Sequence, residues 1–447
     1  MKEQEKTASR GICDQWSARV DARLSKSSGS RLARGGRIAD QRRRLATIDL
    51  TTLRLLYATS ARIGGSGLDS VAHETLRAVQ AAGIDWNALA FDRRARDLEP
   101  DRIRTLRFHP VRMLSWVVGS QYYYGAKKHV LDKTAARQLS SAKFREKSGR
   151  AGPLIFHGWS GECVKALRVC RQLGIPSVIE IPTWHRHKGR DKPLRLTKSE
   201  RERASARGWA GMKNRMLVTR QQMLEEYDLA DLILVLSAKA EETFLQAGIA
   251  KEKLFQHQRG VDVQRFTPAE KPPDTFRCVF VGSLIERKGV HHLLAAWKRL
   301  ALKDAELVLV GTVHPEMRRH IARDAGPTVR VPGFVGRVED AYRSATVHVF
   351  PSECEGSAKC TYEAAACGLP QITTREAGDV VQDGLNGIII PPNDPEALAA
   401  AIARLYADRE LCRRMGKLGR ERVEKNFTWG HFGTRLMEAY QAVLATK

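Results

Sequence analysis

The stretch PSECEGSAKCTYEAAACGLP (351–370) sets two glutamates, Glu355 and Glu363, eight positions apart, and FVGSLIERKGV upstream sets Arg287 beside Lys288 in a glycine-bounded turn. Ionised carboxylates accept hydrogen bonds from hydroxyls, and a guanidinium next to an ammonium neutralises phosphate. Eight positions along a helix rise about 12 Å, so the two carboxylates are expected to grip opposite ends of a long polar ligand. A sugar nucleotide has that length: hexose hydroxyls at one carboxylate, ribose hydroxyls at the other, and a diphosphate facing the free N–H groups at the start of the intervening helix. Taken singly, the same residues read more plainly. Glu355 is then a solvated loop carboxylate, Glu363 an exposed helix residue, and Arg287 with Lys288 a solvated basic turn.

Such side chains need a frame. LRLLYATS (53–60), PLIFHGWS (153–160), PSVIEIPT (176–183) and DLILVLSA (231–238) are short apolar runs of buried-strand type. They alternate with helical patterns such as VAHETLRAVQAAG and CVKALRVCRQLG. A second series follows: TFRCVFVGS (275–283), AELVLVGT, VRVPGF, VHVFPS, LPQITT and GIIIPP. Strands alternating with helices predict parallel, doubly wound sheets, here two of them. GVDVQRFTPAEKPPDTF lies between the two series, and its prolines and charges suit an interdomain linker. In such sheets ligands sit beyond the carboxyl ends of the strands, which is where Glu355 follows VHVFPS.

A chain of 447 residues exceeds what one core usually organises, and 43% hydrophobic residues is ordinary for a globular protein. Its 75 Lys and Arg against 50 Asp and Glu give a formal charge of +25. That favours polyanionic partners: nucleic acid, an anionic membrane surface or phosphorylated substrates. The eight cysteines form no C-x-x-C pair and no zinc spacing, so free thiols in a reducing compartment are expected. The first residues lack an apolar signal core, and no apolar run reaches the length of a membrane span. Residues 1–48, polar and Arg-rich, are expected to form a disordered basic tail or a basic anchor.

These pieces together resemble retaining glycosyltransferases of family 4 (glycosyl transferases group 1). The resemblance rests on E-G-x6-E-A-x-A-x-G-x-P, here Glu355-Gly356 through Glu363-Ala364 to Gly368-Leu369-Pro370, and on FVGSLIERKGVHHLLAAW (280–297). RGVDVQRF (259–266) is similar to the family's N-G-V-D-x-x-x-F, and REAGDVVQDGLNGIII (375–390) to its G-G-x-x-E-x-I-x-D-G-x-N-G. The match covers roughly 51–445 and is strongest from about 276 to 395. It implies the GT-B fold, two Rossmann-like domains facing a cleft. The boundaries it suggests are an acceptor domain over 49–265, a nucleotide-sugar donor domain over 266–425, and a terminal helix over 426–447 packing back towards the acceptor domain.

The resemblance also implies roles. Glu355 binds the hydroxyls of the donor sugar, assisted by backbone amides around Gly356, Ser357 and Ala358, and Glu363 binds the ribose. Arg287 and Lys288, with Gly282 and Ser283 in the same turn, take the diphosphate, so that no metal and no cofactor is required beyond the nucleotide sugar as co-substrate. The sequence has no Asp-x-Asp motif of the metal-dependent kind. In the first half, Gly65, Ser66 and Gly67 follow the first strand, where backbone without side chains approaches a phosphate or the transferred sugar; the plainer reading is a tight turn. His157, at a strand end, is expected to face the reaction centre, and His185 to contact the acceptor. Three departures bear on the donor: Ser283 stands where relatives place a cation, Arg259 where Asn is usual, and Ala377 and Asp379 flank Gly378 in place of Gly and Glu.

The expected activity is transfer of a sugar from a nucleotide-diphosphate sugar to an acceptor hydroxyl with retention, in bacterial polysaccharide, lipopolysaccharide or other glycoconjugate synthesis. Two alternatives belong to other classes. A GT-B epimerase would change the sugar with no acceptor present. A nucleic-acid-binding protein would exploit the +25 charge, but the basic stretches carry no recognisable reading module. The stretches 113–131 and 185–216 better fit a face meeting anionic lipid or an acidic glycan. The expected location is the cytoplasm, with peripheral attachment to the inner face of the cell membrane.

Overall fold

The computed structural model describes residues 49–65, 67–106, 119–146, 152–185, 205–271 and 273–446. The basic segment 1–48, Ser66, and residues 113–118 and 186–204 of the stretches 113–131 and 185–216 lie outside them.

Two compact units emerge. The first comprises, among the described residues, 49–236, 241–257 and the chain from Phe432 onward; the second runs from Gln258 to His431, with 237–240. In the first unit seven parallel strands pair in the order β3-β2-β1-β4-β5-β6-β7. They are β1 (Arg54–Ile63), β2 (Asp85–Arg93), β3 (Ile103–Thr105), β4 (Leu154–Trp159), β5 (Ser177–Glu180), β6 (Leu232–Val235) and β7 (Leu254–Gln256). β1, β4, β5 and β6 coincide with the apolar runs. β2, β3 and β7 do not announce themselves, because β2 (DWNALAFDR) is charged at both ends and the other two are three residues long.

The second unit repeats the plan with β8 (Phe276–Val281), β9 (Ala305–Val310), β10 (Val329–Gly333), β11 (Val347–Phe350), β12 (Gln371–Thr373) and β13 (Gly387–Ile389), in the order β10-β9-β8-β11-β12-β13. Its strands are parallel as well. Both orders reverse direction at one place, between β1 and β4 and between β8 and β11, the position at which open α/β sheets bind ligands.

The supporting helices are amphipathic or small. α1 (Leu68–Ala81) and α2 (Ser120–Ser140) contact β1. α3 (Val164–Leu173) buries Val164, Ala166, Leu167 and Cys170. Its start is stitched by buried carboxylates from other helices: Asp132 accepts from the Lys165 and Ala166 amides at 2.9 Å, and Glu226 accepts from the Cys163 amide at 2.9 Å. In the second unit α4 (Val290–Leu300) buries Val290, Leu293, Leu294, Ala296 and Trp297. α5 (Lys359–Ala366) has every residue after Lys359 buried. The predicted linker is no free spacer: Val261 and Phe266 are buried in the core of the second unit, and Val261 bridges to Thr428. The last helix, α6 (Trp429–Ala445), contributes Phe432, Leu436, Ala439, Tyr440 and Val443 to the buried interior, and from Phe432 onward it belongs to the first unit.

Candidate active site

The switch point of the second unit gathers most of the expected residues. β8 ends at Val281; Gly282 and Ser283 follow, then the 3-10 turn Glu286–Lys288 and α4. Gly289 adopts φ +69° between turn and helix, and a Cβ there would collide with the Pro351 carbonyl oxygen. That close approach brings the turn against the segment after β11. The Glu353 amide and the Ser352 hydroxyl both donate to the Arg287 carbonyl, at 3.0 and 3.3 Å. The Arg287 guanidinium reaches back to the Cys354 carbonyl and to Glu355 Oε1, the latter at 3.0 Å. Arg287 and Glu355 are therefore direct partners, with 44% and 18% of their side chains exposed, so both remain open to a ligand. Lys288 Nζ sits 5.5 Å from the Phe350 ring centre, over the bare backbone of Gly282, where a Cβ would come within 2.8 Å of it. A glycine at 282 thus leaves the ammonium its place.

The two glutamates do not share a helix, contrary to the expectation from their spacing. Glu355 lies in the loop before α5, not on it, so a helical rise of 12 Å does not separate the two. The loop is rigidly tied: the Glu355 amide donates to the Glu376 carbonyl at 3.1 Å and the Ala358 amide to Ala377 at 2.8 Å. The Ala358 N–H is therefore already spent within the protein. The Ser357 carbonyl accepts from Arg259 Nε at 3.0 Å and its hydroxyl meets Tyr362 Oη at 2.7 Å. Arg259, one of the departures, thus braces the loop, and Gly378 (φ +120°) leaves room where a Cβ would come within 2.7 Å of Ser357 Oγ.

Glu363 is 7% exposed. Its Oε2 accepts from Tyr342 Oη at 3.0 Å and its Oε1 stands 3.4 Å from Lys359 Nζ. Burial pushes its pKa above the usual carboxylate value, with Lys359 opposing. It is a held, oriented acceptor rather than an exposed helix residue.

The first-half residues divide differently. Gly64 (φ +89°) and Gly65 form the expected tight turn after β1; a Cβ at Gly65 would come within 2.5 Å of Asp69 Oδ2, while Asp69 Oδ1 accepts from the Arg62 amide at 2.9 Å. Gly67 (φ +64°) is open to solvent. His157 and His185 are not on a surface. His157 is fully buried, edge-on to Tyr57 and Tyr440, with Nδ1 2.9 Å from Tyr440 Oη and Nε2 without a partner. Burial, then the nearby His257, push its pKa down to about 3. His185, 4% exposed, packs between Tyr227 and Phe244 at about 5 Å, so the expected acceptor contact gives way to core packing.

Sequence reading missed a cavity of about 480 Å³ at the switch point of the first unit, with Ser60, Arg62, Asp69, Asp92, Lys127 and Glu162 among its walls. Glu162 accepts from the Ser60 amide at 2.6 Å and pairs with Lys128 at 3.2 Å. Lys127 stands 4.5 Å over the Phe91 ring, and burial lowers its pKa. The available signal was positional: Ser60 to Arg62 lie at the end of β1 and Glu162 just after β4, both strands recognised from sequence. Asp92 is the penultimate residue of the unrecognised β2.

Residues 275–408 match the family model "Glycosyl transferases group 1". Alpha-maltose-1-phosphate synthase of Mycolicibacterium smegmatis is 29% identical over 49% of this chain, and the capsular polysaccharide biosynthesis glycosyltransferase CapM of Staphylococcus aureus 27% over 44%. The matched region spans 65% and 57% of those two relatives, less than two thirds of either. Among solved structures, Anabaena HepE in complex with UDP and glucose is similar with a TM-score of 0.58 at 16% identity, over 87% of this chain and 99% of that one. The match to the glycosyl transferases group 1 thus lies within the second unit, and the two Rossmann-like parallel sheets are those of the GT-B fold.

Proposed function

We propose that this protein is a retaining, metal-independent glycosyltransferase that moves a sugar from a nucleotide-diphosphate sugar to an acceptor hydroxyl in glycoconjugate synthesis. The observation that carries the reading is the convergence of Arg287, Lys288 and Glu355 on the switch point of the second unit, with Glu363 fixed on the adjoining helix. Arg287 and Lys288 neutralise the diphosphate as it gains charge on leaving. Glu355 then accepts from the sugar hydroxyls and Glu363 from the ribose. No carboxylate nucleophile is assigned; the acceptor oxygen attacks on the face that the phosphate leaves, and the acceptor's proton passes to the departing phosphate oxygen. The bond from the anomeric carbon to phosphate breaks as the bond to the acceptor forms. HepE, of the same fold, binds UDP and glucose, and CapM acts in capsular polysaccharide synthesis; both support this donor and acceptor class.

The polar cavity of the first unit is assigned to the acceptor. Its mix of carboxylates, two lysines and the rings of Phe91, Tyr123, Tyr124 and Trp159 suits a glycan with hydroxyls and an anionic group. Peripheral attachment to an anionic membrane surface, on the cytoplasmic side, is part of the proposal. Trp209 and Tyr124 are more than half exposed, and Lys213 lies 5.8 Å from both the Tyr122 and Trp209 ring centres. No described helix is long and apolar enough to cross a membrane.

A panel of nucleotide sugars screened by thermal shift tests the donor assignment, since a ligand bound to the folded state raises its apparent stability. One nucleotide sugar is expected to raise the melting temperature and to be consumed only when an acceptor glycan is added. Conversion of the donor to another sugar with no acceptor present would make the protein an epimerase instead.

A further inference from the structure

The start of α4 carries side chains that the transfer reading does not use. His291, His292 and Glu353 each bring one ligand atom to within 4.8 Å of the other two. The rings of His291 and His292 stand 3.9 Å apart, and that of His320 lies 5.4 Å from His291. Asn393 Oδ1 is 3.0 Å from His292 Nε2. An amide oxygen only accepts, so Nε2 carries the ring proton and Nδ1 keeps its lone pair. His291 Nδ1 is buried with no hydrogen-bond partner, an arrangement that costs free energy until something occupies it. Burial and the neighbouring His292 and His320 push the His291 pKa down to about 4, against the pull of Glu286, so the ring is neutral near pH 7. Glu286 Oε1 itself faces His320 Nε2 at 3.4 Å.

We propose that His291, His292 and Glu353 bind a divalent transition metal of the zinc class, with water as the fourth ligand. Two imidazoles and a carboxylate suit zinc or its borderline neighbours, whereas magnesium and calcium take oxygen ligands. Tetrahedral zinc with bonds near 2.1 Å needs ligand atoms about 3.4 Å apart, a contraction that three half-buried side chains reach by small rotations. The position gives the metal a consequence. Glu353 donates its amide to the Arg287 carbonyl at 3.0 Å and stands two residues before Glu355. A metal shared by α4 and Glu353 therefore clamps the segment after β11 onto the basic turn. This clamping role rests on the transfer reading; the metal site itself does not.

Tag-free protein, titrated with zinc against a chromophoric chelator, tests the site. Wild type is expected to bind one zinc that His291→Gln, His292→Gln and Glu353→Gln each weaken by about tenfold or more, and Asn393→Ala by about tenfold through the loss of ring orientation. Unchanged melting of the variants without metal shows that they are folded. Absence of zinc binding by wild type, or equal binding by the folded variants, overturns the site. Hydrogen exchange tests the clamp: zinc should slow the amides of 351–356 in wild type and not in Glu353→Gln. Zinc binding without that protection overturns the clamp and leaves donor chemistry untouched, because neither measurement uses donor or acceptor.

Discussion

Arg287 Nη1 holds Glu355 Oε1 at 3.0 Å, so the residue assigned to the diphosphate and the residue assigned to the sugar neutralise one another before any ligand arrives. A bound diphosphate competes for the guanidinium, and the freed carboxylate turns to hydroxyls. Glu355→Gln should therefore lower kcat on the order of 100-fold, since it removes charge from a preorganised site. Arg287→Ala should lower kcat and also raise KM for the donor, because the guanidinium meets the diphosphate in the bound donor and more strongly as it leaves. Steady-state kinetics with both variants separate the two effects. Normal turnover in Glu355→Gln would remove this residue from the site.

Glu363 is held by Tyr342 and Lys359 inside the second unit. A ribose contact made equally in ground and transition states affects binding rather than chemistry. Glu363→Ala is expected to weaken donor binding in calorimetry with kcat little changed. Tyr342→Phe keeps the carboxylate but removes one buried hydrogen bond, and should lower stability by about 1 kcal/mol. Equal donor affinity in wild type and Glu363→Ala would refute the ribose role.

How far the sequence disclosed the site depends on how local each feature is. The strands β8 and β11, the Arg287-Lys288 turn and both glutamates are contiguous patterns, and all were legible. Their meeting was not fully so: a period of 3.6 carried past the loop before α5 put Glu355 on a helix it precedes. The cavity of the first unit needed Asp92 at the end of β2, and charges at both ends of DWNALAFDR hid that strand. His157 looked like a residue at a strand end because its cover, Tyr440, comes from 283 positions away. Burial of that kind is set by tertiary packing, which no local window contains.

Transfer should survive exhaustive treatment with EDTA, staying within about threefold of the untreated rate, because Arg287 and Lys288 are proposed to supply the charge that a divalent ion gives elsewhere. A metal at His291 and His292 would stiffen the turn without carrying the reaction. Complete loss of activity, restored by added metal, would overturn the metal-independent assignment.

The charge of +25 and the exposed rings of Trp209 and Tyr124 motivate the proposed membrane attachment, which is expected to be salt-sensitive. Each Lys or Arg near an anionic leaflet contributes about 1 kcal/mol, and salt screens that attraction. In flotation, the protein should rise with anionic vesicles at low salt, stay down with neutral ones, and be released at high salt. Neutralising the Lys and Arg of 185–216 should reduce the bound fraction. A protein that stays down with anionic vesicles at low salt acts on a soluble acceptor.

His157 ties the stability of the first unit to pH. Its ring is neutral in the folded first unit, with a pKa lowered to about 3, while an unfolded chain takes up a proton near 6.5. The unfolded state therefore binds more protons between those values. The stability that this group contributes is full above about 6.5 and is lost as pH falls towards 3. At pH 4.5 the loss is about 2–3 kcal/mol, at 1.36 kcal/mol per unit. His157→Gln keeps an amide that can meet Tyr440 Oη but has no proton to take up, so it escapes this loss. Wild type should be the more stable of the two at pH 7.5, and the gap in urea unfolding free energy should shrink by about 2–3 kcal/mol, or reverse, at pH 4.5. A gap that does not change with pH would mean that the ring is protonated as readily in the fold as in the open chain, and the buried ring would then have to reach water.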